Sequence, residues 1–200
     1  MEEIEAGCTV HTGFSDEERA AAGALYFGAF GAKLTHAFAD RATGQAVVTE
    51  SLRSDRLLTA RLGGRVVGAC GFYDDGGGAI DATWSILRSR LPRTQSLRAA
   101  LVLSVLRRRD VPDTLVLDGL CVDADMRGRG VGSLLLDAAV HRARAQGTSS
   151  IQLSVIDSNP RAARLYRRHG FRAVGHARLG PLRHLFGFDG YTTMRKDVAP

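Results

Sequence analysis

A glycine-rich turn between a predicted strand and a predicted helix is the feature that most restricts the fold of this chain. The turn reads Arg-Gly-Arg-Gly-Val-Gly-Ser over residues 127–133; the strand before it spans 114–122 and the helix after it spans 132–146. Glycines at the start of a helix let a bulky anion approach the backbone, where the N–H groups of the first turn and the helix dipole attract negative charge. The turn therefore predicts a phosphate or pyrophosphate site.

The rest of the chain alternates between strand-like and helix-like patterns. Further strands are predicted over 8–13, 57–62, 65–73, 151–156, 171–176 and 191–196, with a glycine turn joining the second and third of these into a hairpin. Helices are predicted over 15–38, with a capping box at its start and a break near Gly31, and over 42–52, 82–109 with an interruption at Pro92, and 160–169. No repeat or linker divides the sequence, so residues 1–200 are expected to form one α/β domain.

Composition argues against several classes of protein. The net charge of +6 comes almost entirely from arginine, since Lys33 and Lys196 are the only lysines, but the arginines are scattered without interleaved aromatic residues, which disfavours nucleic-acid binding. Cys8, Cys70 and Cys121 stand singly, at no spacing typical of a disulfide framework or a metal site. The acidic N-terminus is unlike a secretory signal, and no apolar run is long enough for a membrane span. We therefore expect a cytoplasmic protein without a metal, a nucleic-acid partner or a membrane partner.

A dinucleotide-binding fold is one interpretation of the glycine turn, because Gly128 and Gly130 open a helix and Asp157 ends the following strand. Three features argue against it. Ser133 stands where that fingerprint has its third glycine, over a hundred residues precede the turn, and the segment after Asp157 has a different pattern. A dinucleotide-binding oxidoreductase therefore stays as an alternative.

The second informative segment begins at Asn159, a good helix N-cap followed by a proline at the first helical position. Tyr166 follows two helical turns later on the same face, and Gly170 is placed to end the helix. The sequence thus contains R-x-x-G-x-G, starting at Arg127, and N-P-x-A-x-x-L-Y-x-x-x-G-F, starting at Asn159. These two patterns, together with the spacing between them, resemble those of the GNAT superfamily of N-acetyltransferases over about the central third of the chain.

The resemblance implies a mixed, strongly twisted sheet with helices on both faces and a V-shaped splay between two central parallel strands, 114–122 and 151–156. It implies that acetyl-CoA is the co-substrate, bound by a core of residues 114–175 with its pyrophosphate on the backbone amides of the glycine turn and its pantetheine arm in the splay. In this family the asparagine matching Asn159 contacts pantetheine, and the tyrosine matching Tyr166 often protonates the leaving thiolate. The implied cofactor contacts are Leu120, Cys121, Val122, Arg127, Gly128, Arg129, Gly130, Val131, Gly132, Ser133, Asn159, Ala163 and Tyr166.

The reaction also needs a base, because an amine must lose a proton before it attacks a thioester. Asp118 lies on the strand that faces the splay, and Gly119 after it can mark a β-bulge. Either Asp118 or water is the expected base, with Tyr166 as the acid and a backbone N–H near residues 120–122 holding the oxyanion. Cys121 has no partnered histidine, so it is interpreted as a small apolar strand residue rather than a nucleophile.

The acceptor is expected to be a primary amine on a small molecule or a peptide, and these motifs do not identify it. In the family the N-terminal helices and the loop between the last strands select the acceptor, here residues 27–52 and 179–190. The pocket candidates in these segments are Phe30, Phe38, Leu182, Phe186 and Phe188. The stretch 82–109 is longer than a plain connection between strands and is expected to cover the pocket or to form a homodimer contact. A non-catalytic acyl-CoA sensor with the same turn is the other alternative.

Overall fold

The computed structural model describes residues 7–31, 37–38, 40–106 and 111–198 of the chain. The strands in these residues are β1 (Thr9–Thr12), β2 (Leu57–Leu62), β3 (Arg65–Phe72), β4 (Thr114–Val122), β5 (Ser150–Ile156), β6 (Arg172–Arg178) and β7 (Gly190–Asp197). The helices are α1 (Arg19–Phe30), α2 (Arg41–Ser51), α3 (Trp84–Arg90), α4 (Arg93–Leu106), α5 (Val131–Ala145), α6 (Pro160–Arg168) and α7 (Arg183–Phe186). Every predicted strand is present, with its ends within two residues of the prediction.

The sheet is mixed, with a single parallel pair of neighbours among the described strands. Its order is β1-β2-β3-β4-β5-β7-β6. Strands β4 and β5 run parallel, whereas the other adjacent strands run antiparallel. A dinucleotide-binding fold is built on a mostly parallel sheet, so this architecture excludes that alternative. The mixed sheet predicted from the sequence is confirmed.

Strands β4 and β5 are paired at one end only. Backbone pairing joins Thr114–Val116 to residues 150–152, and the hydroxyls of Thr114 and Ser150 are hydrogen-bonded at 2.8 Å. Beyond this point β4 continues to Val122 and β5 to Ile156, and no further pairing joins these two fully described strands. The strands therefore border a V-shaped opening, as predicted, and its wide end lies where each strand leads into the loop before a helix.

Helices cover both faces of the sheet, as predicted. On one face α5 and α6 pack against the strands around Leu135, Leu136, Ile151, Leu153 and Tyr166. On the other face α1 to α4 and the segment after β6 enclose a second cluster, which includes Phe27, Val47, Leu87, Ala99 and Phe186. Burial of each large apolar side chain contributes about 1.5–3 kcal/mol to folding, so both clusters hold the sheet in place. The opening between β4 and β5 lies between these two layers.

The predicted capping box forms the turn directly before α1. The Ser15 N–H donates to Glu18 Oε2 at 2.8 Å, and the Glu18 N–H donates to Ser15 Oγ at 3.4 Å. Arg61 on β2 donates two further hydrogen bonds to the Glu18 carboxylate, at 2.6 and 2.7 Å, and these lower the pKa of Glu18 to about 2. The capping box therefore also ties α1 to the sheet.

Two long predicted helices are shorter in the structure. Helix α1 ends at Phe30, at the predicted break, and residues 32–36 of the predicted helix lie outside the described residues. Its last two predicted residues, Ala37 and Phe38, are not helical. The stretch 82–109 forms two helices, α3 and α4, on either side of Pro92, and its residues 107–109 also lie outside the described residues. Proline removes a backbone donor and disfavours the helical conformation of the residue before it, which explains the interruption.

Candidate active site

The glycine turn holds two backbone conformations that favour glycine. Gly128 has φ +87° and Gly130, the N-cap of α5, has φ +77°. The left-handed conformation costs an L-residue with a side chain about 1–2 kcal/mol. Gly132 lies inside the helix, and a β-carbon there would stand 3.1 Å from Leu165 Cδ2 on α6. The first two glycines therefore shape the turn, whereas Gly132 lets α6 approach the start of α5.

The start of α5 presents backbone donors beside this turn. Its first intrahelical hydrogen bond runs from the Leu134 N–H to the Gly130 carbonyl at 3.0 Å, so the N–H groups of the preceding residues point along the helix axis toward the turn. No acidic residue stands in the first turn of α5 to compete for these donors. Val131 is buried and Ser133 is half-buried, so Val131 can offer only its backbone to a ligand. An anion at this helix start would be favoured by the helix dipole.

Arginines surround the turn. Arg127 and Arg129 are exposed, and Arg127 Nε donates to the Val122 carbonyl at 3.3 Å, which ties the turn to the end of β4. Arg161 was not among the residues predicted from the sequence, yet its guanidinium is 3.7 Å from where a β-carbon on Gly128 would stand. The sequence did contain a signal for Arg161: it directly follows the Asn159-Pro160 pair, which starts α6 at the same end of the sheet as the glycine turn. Arg161 is thus a further cation beside the anion site.

The second motif lies next to the first. Asn159 is exposed, and its Oδ1 accepts a hydrogen bond from the Ala162 N–H at 3.0 Å, so it is the N-cap that the sequence predicted. Ala163 is half-buried, whereas Tyr166 is buried, with its ring 6.0 Å from that of Phe171. Leu120 and Val122 of β4 pack on the same cluster as Ala163 and Tyr166. The structure therefore brings the end of β4, the start of α5 and helix α6 together at the open end of the V.

Asp118 occupies a β-bulge on β4. Gly71 of β3 pairs with Gly119, and the next residue of β3, Phe72, pairs with Leu117, so Asp118 is the extra residue of β4. The irregularity turns both Asp118 and Gly119 toward the layer of α1 to α4: Asp118 Oδ2 lies beside Gly78, and Gly119 lies against the ring of Phe30. A bulge of this kind re-aims a side chain locally. The bulge predicted at Gly119 is present, and it directs the Asp118 carboxylate away from α5.

Cys121 is not placed for nucleophilic chemistry. Its side chain is buried in the cluster of α1 to α4, where the thiol donates to the Ala69 carbonyl at 3.6 Å. Burial raises the pKa of Cys121 to about 12, so the thiolate is not populated near neutral pH. The interpretation of Cys121 as an apolar strand residue agrees with this position, and only its backbone is available to the opening.

Two cavities lie near the strands β4 and β5. One, of about 440 Å³, is bounded by Asp118, the loop after β3 and helix α4, and it is lined by Arg53, Arg56, Tyr73, Gly78 and Ala100 among others. The other, of about 810 Å³, lies at the end of β5, where Asp157 and His176 are hydrogen-bonded at 3.0 Å across Gly190. The arginines of the first cavity were not predicted as site residues, because they come from a different part of the chain than Asp118.

The predicted acceptor segments are partly described. Phe38 and Phe186 are buried in the cluster of α1 to α4, and Phe30 and Phe188 pack against it. The Leu182 side chain and residues 32–36 lie outside the described part of the chain. Among the described residues, no group of three or more His, Cys, Asp or Glu side chains could hold a metal ion. Within the same residues, no helix combines the length and the apolar character that a membrane crossing requires.

The mixed sheet opens between two central strands beside a glycine-shaped helix start, a position that would favour an anion. The sequence profile described as Acetyltransferase (GNAT) family matches residues 24–171. The chain belongs to this family, so the resemblance noted from the two motifs is confirmed.

Two relatives match a short segment of the chain. The mycothiol acetyltransferase of Propionibacterium freudenreichii subsp. shermanii is 42% identical over 69 residues, which are 32% of this chain and 22% of that protein. The mycothiol acetyltransferase of Beutenbergia cavernae is 42% identical over 62 residues, which are 30% of this chain and 21% of that protein. The matched segment therefore spans about a fifth of the length of each relative.

Solved structures resemble the whole fold. A GCN5-related N-acetyltransferase from Kribbella flavida superposes with a TM-score of 0.61 at 19% identity, covering 96% of this chain and 98% of that one. The ribosomal-protein-S18-alanine N-acetyltransferase from Escherichia coli superposes with a TM-score of 0.53 at 16% identity, covering 96% and 95%. At these identities the likeness supports the fold alone.

Proposed function

We propose that this protein is an N-acetyltransferase that moves an acetyl group from acetyl-CoA to a primary amine by direct transfer. The observation that carries the proposal is the V-shaped opening between β4 and β5, with the glycine turn and the start of α5 at its wide end. An opening of this kind can take an extended arm between two strands, while the turn holds the charged end of the same molecule.

The residues around the opening fit acetyl-CoA. Side chains on Gly128 or Gly130 would be strained by the positive φ, so no β-carbon stands over the turn, and the exposed Gly128 leaves backbone open to a pyrophosphate. Arg127, Arg129 and Arg161 supply positive charge next to the turn. We propose backbone contacts from Leu120, Cys121, Val122, Val131, Gly132 and Ser133, and contacts along the arm from Asn159, Ala163 and Tyr166. Three free cysteines in the described residues are also in keeping with a reducing, cytoplasmic setting.

Asp118 is the proposed base. It lies on the strand that borders the opening and faces the layer that carries the predicted acceptor segments. In the proposed reaction the Asp118 carboxylate, or a water beside it, takes a proton from the ammonium, and the amine nitrogen then bonds to the thioester carbon. A backbone N–H near residues 120–122 stabilises the oxygen as it becomes negative. Beyond Val116 this edge of β4 has no strand neighbour on the β5 side, which supports that role.

Tyr166 is the proposed acid. As the carbon–sulfur bond breaks, the phenol donates a proton to the leaving thiolate, and the second proton that the nitrogen loses restores the phenol. The products are the N-acetylated amine and free CoA. The ring of Tyr166 is held by Phe171 and by the cluster under α5 and α6, which would fix the direction of its hydroxyl.

The burial of Tyr166, with 7% of its surface exposed, favours a second candidate function. If the ring serves only for packing, the same opening would make the protein a sensor that binds acyl-CoA without transferring the acyl group. The two candidates share the cofactor site and differ in whether thiol is released.

Two measurements on the full chain test these alternatives. Titration calorimetry with acetyl-CoA, CoA and NAD is expected to give binding of the first two and no binding of NAD. An assay of free thiol with a panel of primary amines is expected to give acceptor-dependent release of CoA. Binding of acetyl-CoA without release for any amine would favour the sensor, and absence of acetyl-CoA binding would refute both candidates.

A further inference from the structure

The cavity beside Asp118 contains an arginine with little of its surface exposed, whose one ion pair among the described residues is a long one to Asp55. The Arg56 side chain is 16% exposed, and its Nε lies 3.8 Å from Asp55 Oδ2, which is too far for a hydrogen bond. Asp55 is already engaged by Arg53, which donates two hydrogen bonds to its carboxylate at 3.0 and 2.9 Å. These bonds are the chief reason that the pKa of Asp55 is below its usual value. Among the described residues, the Arg56 guanidinium therefore lacks a hydrogen-bonded carboxylate.

Arg53 lines the same cavity, yet its charge is compensated. Besides its two hydrogen bonds to Asp55, it lies 3.6 Å from Asp81, and its side chain is 43% exposed. A partly buried guanidinium is stabilised when it donates to an anion in a paired geometry. Arg56 is thus the cation of this cavity that has donors available for an incoming anion.

The side chains of Arg56 and Asp118 lie beside two neighbouring residues, Gly77 and Gly78, of the loop after β3. The Arg56 guanidinium lies against Gly77, where a β-carbon would overlap it, and Asp118 Oδ2 lies 2.8 Å from where a β-carbon on Gly78 would stand. Consecutive Cα atoms are about 3.8 Å apart, so the guanidinium and the carboxylate are separated by at most roughly 11 Å. Gly77 and Gly78 place no side chain of their own between these groups, and the Tyr73 ring lies beside the Asp118 carboxylate at Gly78.

We infer that this cavity takes the acceptor and that the acceptor is a small amino acid, whose carboxylate binds Arg56 while its amine faces Asp118. This inference rests on the proposed function and assigns a substrate class to it. Charge-assisted hydrogen bonds at both ends, each about 2.8 Å, leave at most about 5 Å between the amine nitrogen and the carboxylate oxygen. That upper limit admits amino acids whose two groups are one to three carbons apart and excludes longer ones, and a diamine is disfavoured because its second cation would face Arg56.

The transfer itself is the one already proposed. The ammonium of the amino acid loses a proton to Asp118, and the neutral nitrogen bonds to the acetyl carbon. The carbon–sulfur bond then breaks, Tyr166 protonates the departing sulfur to give CoA, and the second proton lost by the nitrogen restores Tyr166. The acceptor carboxylate takes no part in these steps. It holds the amine in place, so removing its partner should weaken binding more than it slows the chemical step.

The first test compares acceptors on the unaltered protein. Each α-amino acid, β-alanine and γ-aminobutyrate is paired with its own carboxamide, which keeps the size and removes the negative charge. An α-carboxamide has the less basic amine, so without a carboxylate site it would react at least as fast as the acid near neutral pH. We expect at least one acid to exceed its carboxamide by about 10- to 100-fold in kcat/KM, the range of one charge-assisted hydrogen bond.

The second test removes the cation. Arg56→Gln is expected to raise KM for the preferred acid by about 10- to 100-fold and to affect its carboxamide far less, because a neutral acceptor loses only an ordinary hydrogen bond, so the preference is largely abolished. Arg56→Lys, which keeps the charge without the planar fork, is expected to retain an intermediate preference. Arg90→Gln is the matched control, because Arg90 pairs with Glu50 at 2.9 Å outside this cavity. A melting curve of each variant shows that it is folded.

Each outcome separates the two proposals. If amines are acetylated but the carboxamides react as well as the acids, the amino acid inference is wrong and the proposed function stands. If Arg56→Gln weakens acids and carboxamides alike, or if Arg90→Gln has the same effect, recognition by Arg56 is wrong. If acetyl-CoA binds but no amine is acetylated, the proposed function fails and the inference fails with it.

Discussion

Replacing Gly130 by valine tests the anion site at a single backbone position. Gly130 has φ +77°, a conformation that costs a residue with a side chain about 1–2 kcal/mol, and valine is among the residues least able to adopt it. In a domain of this size 1 kcal/mol lowers Tm by about 2–4 °C, so the expected decrease is about 2–8 °C. The variant should therefore stay folded at room temperature.

The effect on binding should be larger than the effect on stability. A side chain at Gly130 would alter the turn and block the approach of a pyrophosphate to the start of α5. Loss of two charge-assisted hydrogen bonds corresponds to at least about a 100-fold weaker affinity for acetyl-CoA. Titration calorimetry measures this Kd, and differential scanning calorimetry measures Tm for the same preparation.

Gly147 provides a matched control for the backbone strain. It has φ +70° just after the other end of α5, about 20 Å from the turn along the helix, and its β-carbon would meet no atom within 4 Å. Gly147→Val should therefore lower Tm by a similar amount and leave the affinity unchanged. A folded Gly130→Val variant that binds acetyl-CoA like the parent would refute the pyrophosphate assignment. Equal loss of affinity in Gly147→Val would show that strain, and not the site, explains the result.

Three further predictions concern single side chains. Asp118→Asn should lower the rate by about 100-fold near neutral pH with acetyl-CoA affinity unchanged, and the loss should shrink at high pH; an unchanged pH–rate profile would leave water as the base. Tyr166→Phe should lower kcat by about 10- to 1000-fold at constant KM for acetyl-CoA, whereas full turnover in a folded variant would show that the ring only packs. Glu18 has its pKa lowered to about 2, mainly by hydrogen bonds from Arg61, so its contribution to stability is complete above about pH 5 and disappears as the pH falls toward 2. Glu18→Gln should remove that part of the acid dependence in melting curves, and an unchanged dependence would contradict the role of this pair.

The features that the sequence predicted well depend on local chemistry. The Ser15–Glu18 capping box, the Asn159 cap and the glycine at the start of α5 each require particular residue types within a few positions. Their geometry is decided by backbone hydrogen bonds and by φ, which act over one helical turn. The bulge at Asp118 was also visible, because a glycine within an otherwise regular strand often marks one.

Features made by distant segments were not predicted. The cavity beside Asp118 combines Arg56 before β2, Gly77 and Gly78 after β3, and Ala100 on α4. Nothing in the periodicity of any one segment indicates that these four positions share a space, since their arrangement follows from the packing of α4 over the loop. The extent of pairing between β4 and β5 is likewise a property of the whole sheet, and the splay was expected only from the resemblance to a family.

The partial pairing of β4 and β5 gives this sheet two edges in its interior. Exposed strand edges invite pairing with other chains, and proteins normally protect them at the outer strands. Here the two strands pair at Thr114–Val116, so these edges lie within the sheet and not at its margin. Arg127 satisfies the Val122 carbonyl, and backbone groups of these edges without such a protein partner must be satisfied by water or by a bound molecule. In the second half of β4 and of β5, the amide hydrogens that point into the opening should therefore exchange with solvent faster than those at the paired ends. Bound acetyl-CoA should slow this exchange, as pairing with an added strand would.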